Sequence, residues 1–409
     1  MLFAKALRHF TTAGTLKLAD AGGHIYENAG SESPQFAVRL TDPSLNRKFL
    51  INPWLSIGEA YMDGTLVIEE GTLGDLLEYL CRNGMMHEHN PVLALTRWLD
   101  QRARRFQQFN SLRRAQRNVA HHYDLSSDLY RLFLDNDLQY SCGYFTSPDD
   151  TLEQAQQNKQ RHIAAKLLLR PGQKVLDIGS GWGGLGLYLA QLTNIELTGV
   201  TLSEEQYKIA ALRARKAGLS DRVRFCLHDY RDESGLYDRI VSIGMLEHVG
   251  RTRYRQFFAK LRKLLADDGV CLIHSIFRMD PPSNTNAWMR KYIFPGGYTP
   301  SMSEVLAALE HEQLYVTDIE ILRIHYAETL RHWYDRFQAN REQAAEIYDE
   351  RFCRMWELYL KGCEMGFRHW NQAVFQMQIS KCQQSAPLTR DYITDWERAQ
   401  AAREKTKRG

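Results

Sequence analysis

The sequence predicts an α/β protein: a doubly wound, mostly parallel sheet with a smaller domain ahead of it. Three observations carry this. From residue 172 onward, short apolar runs alternate with helix-like stretches, the pattern of a parallel sheet with crossover helices. The first of these runs ends in the glycine-rich turn VLDIGSGWGG at 175–184, where such sheets hold ligands. Residues 1–100 have a different, mixed texture and read as a separate module.

Each element has its own signal. FAVRLT alternates and reads as a strand, INPWLSIGEAYMDGTLVIEE is mixed, and GTLGDLLEYLC is helical. Residues 102–117, RARRFQQFNSLRRAQR, hold six arginines and two phenylalanines. They form a basic linker or surface helix, either simply solvated or touching anionic headgroups. Then follow the strand KVLDIG, the helix LGLYLAQL, the strand IELTGVT, the helix EEQYKIAALRARKAG and the strands RVRFCLH and DRIVSIG. A helix at 251–266 and the strand GVCLIHSIF come next. Amphipathic helical patterns fill 326–370, and AVFQMQIS closes the sheet. The boundaries are 1–100 for the amino-terminal module, 101–120 for the linker, 121–390 for the main domain and 391–409 for a polar tail.

Composition narrows the function. The chain has 409 residues, enough for two or three domains with real cores. A formal net charge of +3 gives no nucleic-acid footprint. No run approaches the roughly 18 apolar residues of a spanning helix, and the start lacks a signal-peptide pattern. The 7 cysteines are scattered without a CxxC pair, which fits a reduced cytoplasmic protein.

The turn at 175–184 places Asp177 at a strand end, with Gly179, Gly181 and Gly183 spaced G-x-G-x-G. It resembles motif I of the class I S-adenosylmethionine-dependent methyltransferases, a Rossmann-like fold. In that fold the turn packs against the methionine portion of the cofactor. Many of those enzymes end the second strand with an acid for the ribose; here Thr201 stands there. One subfamily with a TLS…Q stretch implies Thr201 and Gln206 around the cofactor instead. His228 and Asp229, after the third strand, fall where adenine-contacting residues usually lie.

Further stretches line up: NVAHHYDLSSDLYRLFLDNDLQYSCGYF at 118–145, GMLEHVG at 244–250, HSI at 274–276, NAWMRKYIFPGG at 286–297 and HYAETLRHW at 325–333. With the glycine turn, they resemble the cyclopropane-fatty-acyl-phospholipid synthases, relatives of the mycolic acid cyclopropane synthases. The resemblance spans roughly 35–382. The extra amino-terminal module is similar to the phospholipid branch.

That resemblance implies methylene transfer from S-adenosyl-L-methionine to a cis alkene in an acyl chain. A bound bicarbonate ion would serve as base. It implies an anion site of Cys142, Glu247, His274 and Tyr326, with backbone near Gly244 and Ile276. Tyr123 and Ser141 are expected along the cofactor entrance. It further implies a homodimer, peripherally bound at the inner face of a membrane and acting on phospholipid with unsaturated chains. The amino-terminal module would contact lipid or form the dimer, although its apolar helix face could equally be core. Trp288, Tyr292 and Phe294 either shape an acyl tunnel or pack a core. Adjacent His121 and His122 would point apart in a strand and lack a third ligand, so no metal site is expected. Read alone, Glu247 could be a helix cap, a metal ligand or part of proton management; His248 is expected to support the loop. The competing activities are methylation of an unsaturated acyl chain without ring closure, methylation of a small molecule or nucleic acid, and non-catalytic lipid binding.

Overall fold

Four short strands come first: β1 (Thr15–Ala19), β2 (Ile25–Ala29), β3 (Gln35–Leu40) and β4 (Leu66–Glu70), in the sheet order β2-β1-β3-β4. Asp20 shapes the β1–β2 turn, its Oδ1 accepting the N–H groups of Gly22 and His24 at 2.9 and 3.0 Å. β1 then lies parallel to β3. The helix Leu73–Arg82 starts at a capping box between Thr72 and Asp75, which satisfies orphan amides at both positions. Its apolar face is core: Leu76, Tyr79 and Leu80 are buried with Phe36 and Val38, and the Phe36 and Tyr79 rings meet edge-on at 5.1 Å. The computed structural model describes residues 11, 13–30, 35–83 and 125–406. The basic stretch 102–117, together with His121, His122 and Tyr123, lies outside them.

The chain divides into two compact units. One combines 1–107 with 283–295 and 330–371; the other combines 108–282 with 296–329 and 372–409. The helices Ala287–Tyr292, Arg341–Ile347 and Glu350–His369 therefore belong with the amino-terminal strands. In that unit Trp288 is buried and donates its indole N–H to Met62 Sδ at 3.2 Å. Tyr292 donates to Glu59, and Phe294 meets Tyr359 edge-on at 5.8 Å. All three aromatics pack within their own unit.

The second unit holds a seven-stranded sheet. Its strands are β5 (Lys174–Ile178), β6 (Glu196–Thr201), β7 (Val223–Leu227), β8 (Tyr237–Ile243), β9 (Leu265–Arg278), β10 (Tyr315–Leu322) and β11 (Gln372–Ser380), ordered β10-β11-β9-β8-β5-β6-β7. The five strands β5 to β9 are parallel, and β11 runs antiparallel to both β9 and β10. Helices cover both faces. Phe257, Phe258 and Leu261 pack on one side; Ile163, Leu167, Leu185 and Leu189 pack on the other. This double cover explains why β5, VLDI, reads as a continuous apolar run rather than an alternating one. The chain proceeds β5, β6, β7 to one side, then returns to place β8 on the other side of β5. That reversal opens a crevice at the strands' carboxyl ends.

The polar tail and β10 are among the elements that differ from the sequence reading. The polar tail is helical over Asp391–Thr406. Glu404 of this helix accepts from Arg161 at 2.6 Å and from Tyr188 at 2.8 Å, while Ile393 is buried and Trp396 packs against the core. β10 was not anticipated. Its residues are mostly half-buried, and an edge strand of that kind lacks the apolar run of a central one.

Candidate active site

The crevice is a cleft lined from the carboxyl ends of four parallel strands. Asp177 to Leu185 come from the end of β5 and the turn after it, except that Gly183 does not line the cleft; Val200 to Leu202 and Gln206 come from the end of β6 and beyond; His228 to Arg231 follow β7; Ile243 to Met245 with His248, Val249 and Arg253 come from the end of β8 and beyond. Leu138 to Ser141 close one wall. Ser141, Asp177, Gly179, Gly181, Thr201, Gln206, His228, Asp229 and Gly244 all line this cleft.

Gly179 and Gly181 have φ of 81° and 54°, which favours glycine and lets the backbone approach a ligand. Gly183 does something else. It stands at the start of the helix Gly184–Leu192 with φ of 83°, and a Cβ there would meet Phe225 at 2.7 Å. It is a packing glycine rather than a ligand contact.

Asp177 is buried, and burial pushes its carboxyl up to about 7. Its Oδ2 has no partner among the described residues, so the atom is suited to a ligand ammonium or hydroxyl. Thr201 Oγ1 donates to Gln206 Oε1 at 2.9 Å. With its carbonyl end held, Gln206 keeps its amide NH₂ as a donor, a different surface from a ribose-binding carboxylate. His228 is tied to Glu233 at 2.8 Å. Asp229 grips Arg231 with both oxygens, at 2.8 and 2.7 Å, so its side chain shapes the turn. The cleft residue the sequence reading passed over there is Tyr230, which leans edge-on against Phe257 at 5.4 Å. Trp182, Met245, His248 and Arg253 were also missed as cleft walls. An aromatic directly after an acid at a strand end was the available signal for Tyr230.

Of the expected anion residues, Glu247 and His274 lie with Gly244 and Ile276 around the ends of β8 and β9. Gly244 N–H donates to the carbonyl of His274 at 2.8 Å, and Ile243 is the cross-strand partner of His274. Glu247 sits in a short helix, Leu246–Val249, and its Oε1 accepts the Ile276 N–H at 2.6 Å. The N–H groups of Gly244 and Ile276 are thus already bonded within the protein. His274 is 2% exposed, and burial drives it well below the ordinary imidazole range, with Lys159 and Lys166 adding to the effect. Gln376 Nε2 lies 3.3 Å from its Nδ1. Cys142 is buried beside Ser141, and burial pushes its thiol up. Its neighbour Gly143 donates to Thr329 Oγ1 at 2.9 Å. Tyr326 lies three residues before Thr329, in the first turn of the helix His325–Ala339. His248 is pushed down to about 4 by burial and stays neutral. Among the described residues no group of three or more His, Cys, Asp or Glu could hold a metal.

A reversed parallel sheet, a glycine turn after its central strand and this cleft define a class I S-adenosylmethionine-dependent methyltransferase fold. Residues 110–377 match the family model described as mycolic acid cyclopropane synthetase, and the chain belongs to that family. It is 36% identical over 346 residues to the cyclopropane-fatty-acyl-phospholipid synthase of Escherichia coli strain K12, covering 84% of this chain and 87% of that one. It is also 36% identical over 396 residues to the tuberculostearic acid methyltransferase UfaA1 of Mycobacterium tuberculosis, covering 92% and 90%. The solved mycolic acid cyclopropane synthase CmaA1, complexed with SAH and CTAB, aligns at TM-score 0.62 and 35% identity, over 64% of this chain and 97% of that one. About a third of the present chain therefore has no counterpart in that enzyme.

Proposed function

We propose that the protein converts the cis double bond of an unsaturated phospholipid acyl chain into a cyclopropane ring, with bound bicarbonate as base. The observation that carries this is the buried Glu247 Oε2, without a partner among the described residues, in the same strand-end cluster as His274. S-adenosylmethionine supplies an electrophilic methyl group on a sulfonium. The alkene π pair forms the new carbon–carbon bond to that methyl, and the neighbouring alkene carbon is left cationic. A proton must then leave the added methyl, its C–H pair closing the ring.

Each residue has a role in this scheme. Glu247 Oε2 accepts the O–H of bicarbonate and turns its basic oxygens toward the methyl. A ring N–H of His274 and the Tyr326 hydroxyl donate to the anion, which in turn balances the developing cation. Cys142, kept as a thiol, closes the wall. On the cofactor side, Thr201 and Gln206 meet the ribose, Tyr230 the adenine, and Asp177 the methionine portion. The cleft fits that molecule because it offers close backbone at Gly179 and Gly181 and an unpaired acceptor at Asp177. Among the described residues no helix is long and apolar enough to cross a membrane. We read the enzyme as a homodimer acting peripherally at the inner membrane face.

The resemblance to a tuberculostearic acid methyltransferase favours a second reading, in which the cation loses a proton from an adjacent chain carbon instead of closing the ring, leaving a methyl-branched alkene. Incubation with S-adenosylmethionine, bicarbonate and vesicles of cis-monounsaturated phospholipid decides between them. Gain of one CH₂ per chain with loss of the alkene and a cyclopropane NMR signature supports the first. A methyl branch supports the second, and unmodified lipid removes both.

A further inference from the structure

Lys159 lies on the helix Leu152–Leu167 and is 1% exposed. A lysine so enclosed is rare unless its charge is used or compensated. Its ammonium donates to Ser141 Oγ at 2.6 Å and to Gln139 Oε1 at 2.8 Å, and both residues line the cleft. Burial lowers its pKa to about 8, while the carboxylate of Asp135 opposes that fall, so the charge persists at neutral pH.

The directions of these hydrogen bonds matter. An ammonium only donates. Ser141 therefore spends a lone pair on Lys159 and keeps its own O–H hydrogen for another acceptor. Gln139 spends one of its two Nε2 hydrogens on Asp137 Oδ2 at 2.8 Å, which turns that amide toward Asp137. The serine backbone is anchored as well, since its carbonyl accepts from Gln156 Nε2 at 2.9 Å. The result is a fixed hydroxyl donor in the cleft wall with a buried positive charge directly behind it, an arrangement suited to an anionic oxygen.

We propose that Lys159 is a positioning residue for the carboxylate of the methionine moiety, acting through Ser141 rather than by direct contact. This rests on the S-adenosylmethionine reading of the cleft. Two ligands separate the proposal from that reading: S-adenosylhomocysteine, and methylthioadenosine, which keeps the adenosine and sulfur but lacks the amino-acid group.

Calorimetric titrations of wild type, Lys159→Met and Ser141→Ala are the test. Both variants are expected to lose about tenfold or more in affinity for S-adenosylhomocysteine, with methylthioadenosine affinity changed less than about twofold. Equal loss on both ligands would mean a collapsed wall and would overturn the proposal, as would unchanged homocysteine-ligand affinity in either variant. Lys159→Gln, a neutral donor of shorter reach, replaces the methionine variant if that one does not fold, with the same outcomes deciding. If wild type binds neither ligand, the cofactor reading fails and takes this proposal with it. If it binds methylthioadenosine as tightly as S-adenosylhomocysteine, only the present proposal fails.

Discussion

Glu247 Oε1 accepts the backbone N–H of Ile276 at 2.6 Å, while its Oε2 stays buried with no partner among the described residues. Part of the residue reaches solvent, but the carboxylate end is enclosed, and burial pushes it up to about 7. A raised carboxyl is protonated below that value and is then only a weak, uncharged acceptor for the bicarbonate O–H. Activity at constant bicarbonate is therefore expected to rise as pH passes upward through about 7. Glu247→Gln is expected to lower kcat by about 10²-fold or more, with S-adenosylhomocysteine affinity within about twofold of wild type. A pH–rate profile and a titration check both. Near-normal turnover in the variant would remove Glu247 from proton management.

Gly181 and Gly183 share one turn but should fail differently. Around Gly181 a Cβ would meet nothing within 4 Å, whereas at Gly183 it would meet Phe225 at 2.7 Å and Ala210 at 3.0 Å. Gly183→Ala is expected to destabilise by about 2–4 kcal/mol, combining a positive φ with overpacking. Gly181→Ala should cost about 1 kcal/mol of stability but weaken the cofactor, because the added carbon stands in the cleft. Thermal melts and titrations on the two variants would distinguish these effects.

His162 ties the helix Leu152–Leu167 to β10 and to the carboxy-terminal helix, meeting Glu320 Oε2 at 2.6 Å and Glu397 Oε1 at 2.9 Å. Lys166 Nζ also donates to Glu320, at 2.5 Å. Burial works against the Glu320 carboxylate, but His162 and Lys166 outweigh it and lower its pKa. A lowered carboxyl stabilises the fold above its ordinary value of 4.5 and loses that contribution as pH falls toward the folded value. Glu320→Gln, which leaves buried Lys166 only the longer 3.8 Å pair with Asp318, is expected to cost about 3 kcal/mol at pH 7. The gap from wild type should narrow below pH about 4.5. Urea melts across pH test this, and a gap that is constant with pH would exclude the ion-pair account.

Cys142 is 1% exposed and its thiol is pushed up by burial, so little thiolate is available to react. Iodoacetamide at pH 8 is expected to label the partly exposed Cys382 well before Cys142, as peptide mass mapping would show. Rapid labelling of Cys142 would contradict its place as a closed wall.

Much of the site was legible because its chemistry is written in short stretches. VLDIGSGWGG specifies a strand, a turn that only glycine adopts easily and a helix start, all local properties. The TLS…Q stretch similarly brings Thr201 and Gln206 together across one turn, with Ser203 capping the helix by accepting the Gln206 N–H at 3.3 Å. Less legible was what each polar group already holds. That Ile276 N–H belongs to Glu247, or Asp229 to Arg231, depends on hydrogen bonds made only after the strands are ordered.

By itself the sequence determined the alternation of strands and helices, the glycine turn and the residue types at the strand ends, because side-chain periodicity and backbone freedom act over a few residues. Only the tertiary structure decided that 330–371 joins the amino-terminal strands, that the polar end is a helix held by Arg161 and Tyr188, and that Lys159 lies beneath Ser141. Those outcomes depend on burial and charge pairing between segments far apart in the chain. A lysine in a helical pattern looks like any solvated lysine until the fold encloses it.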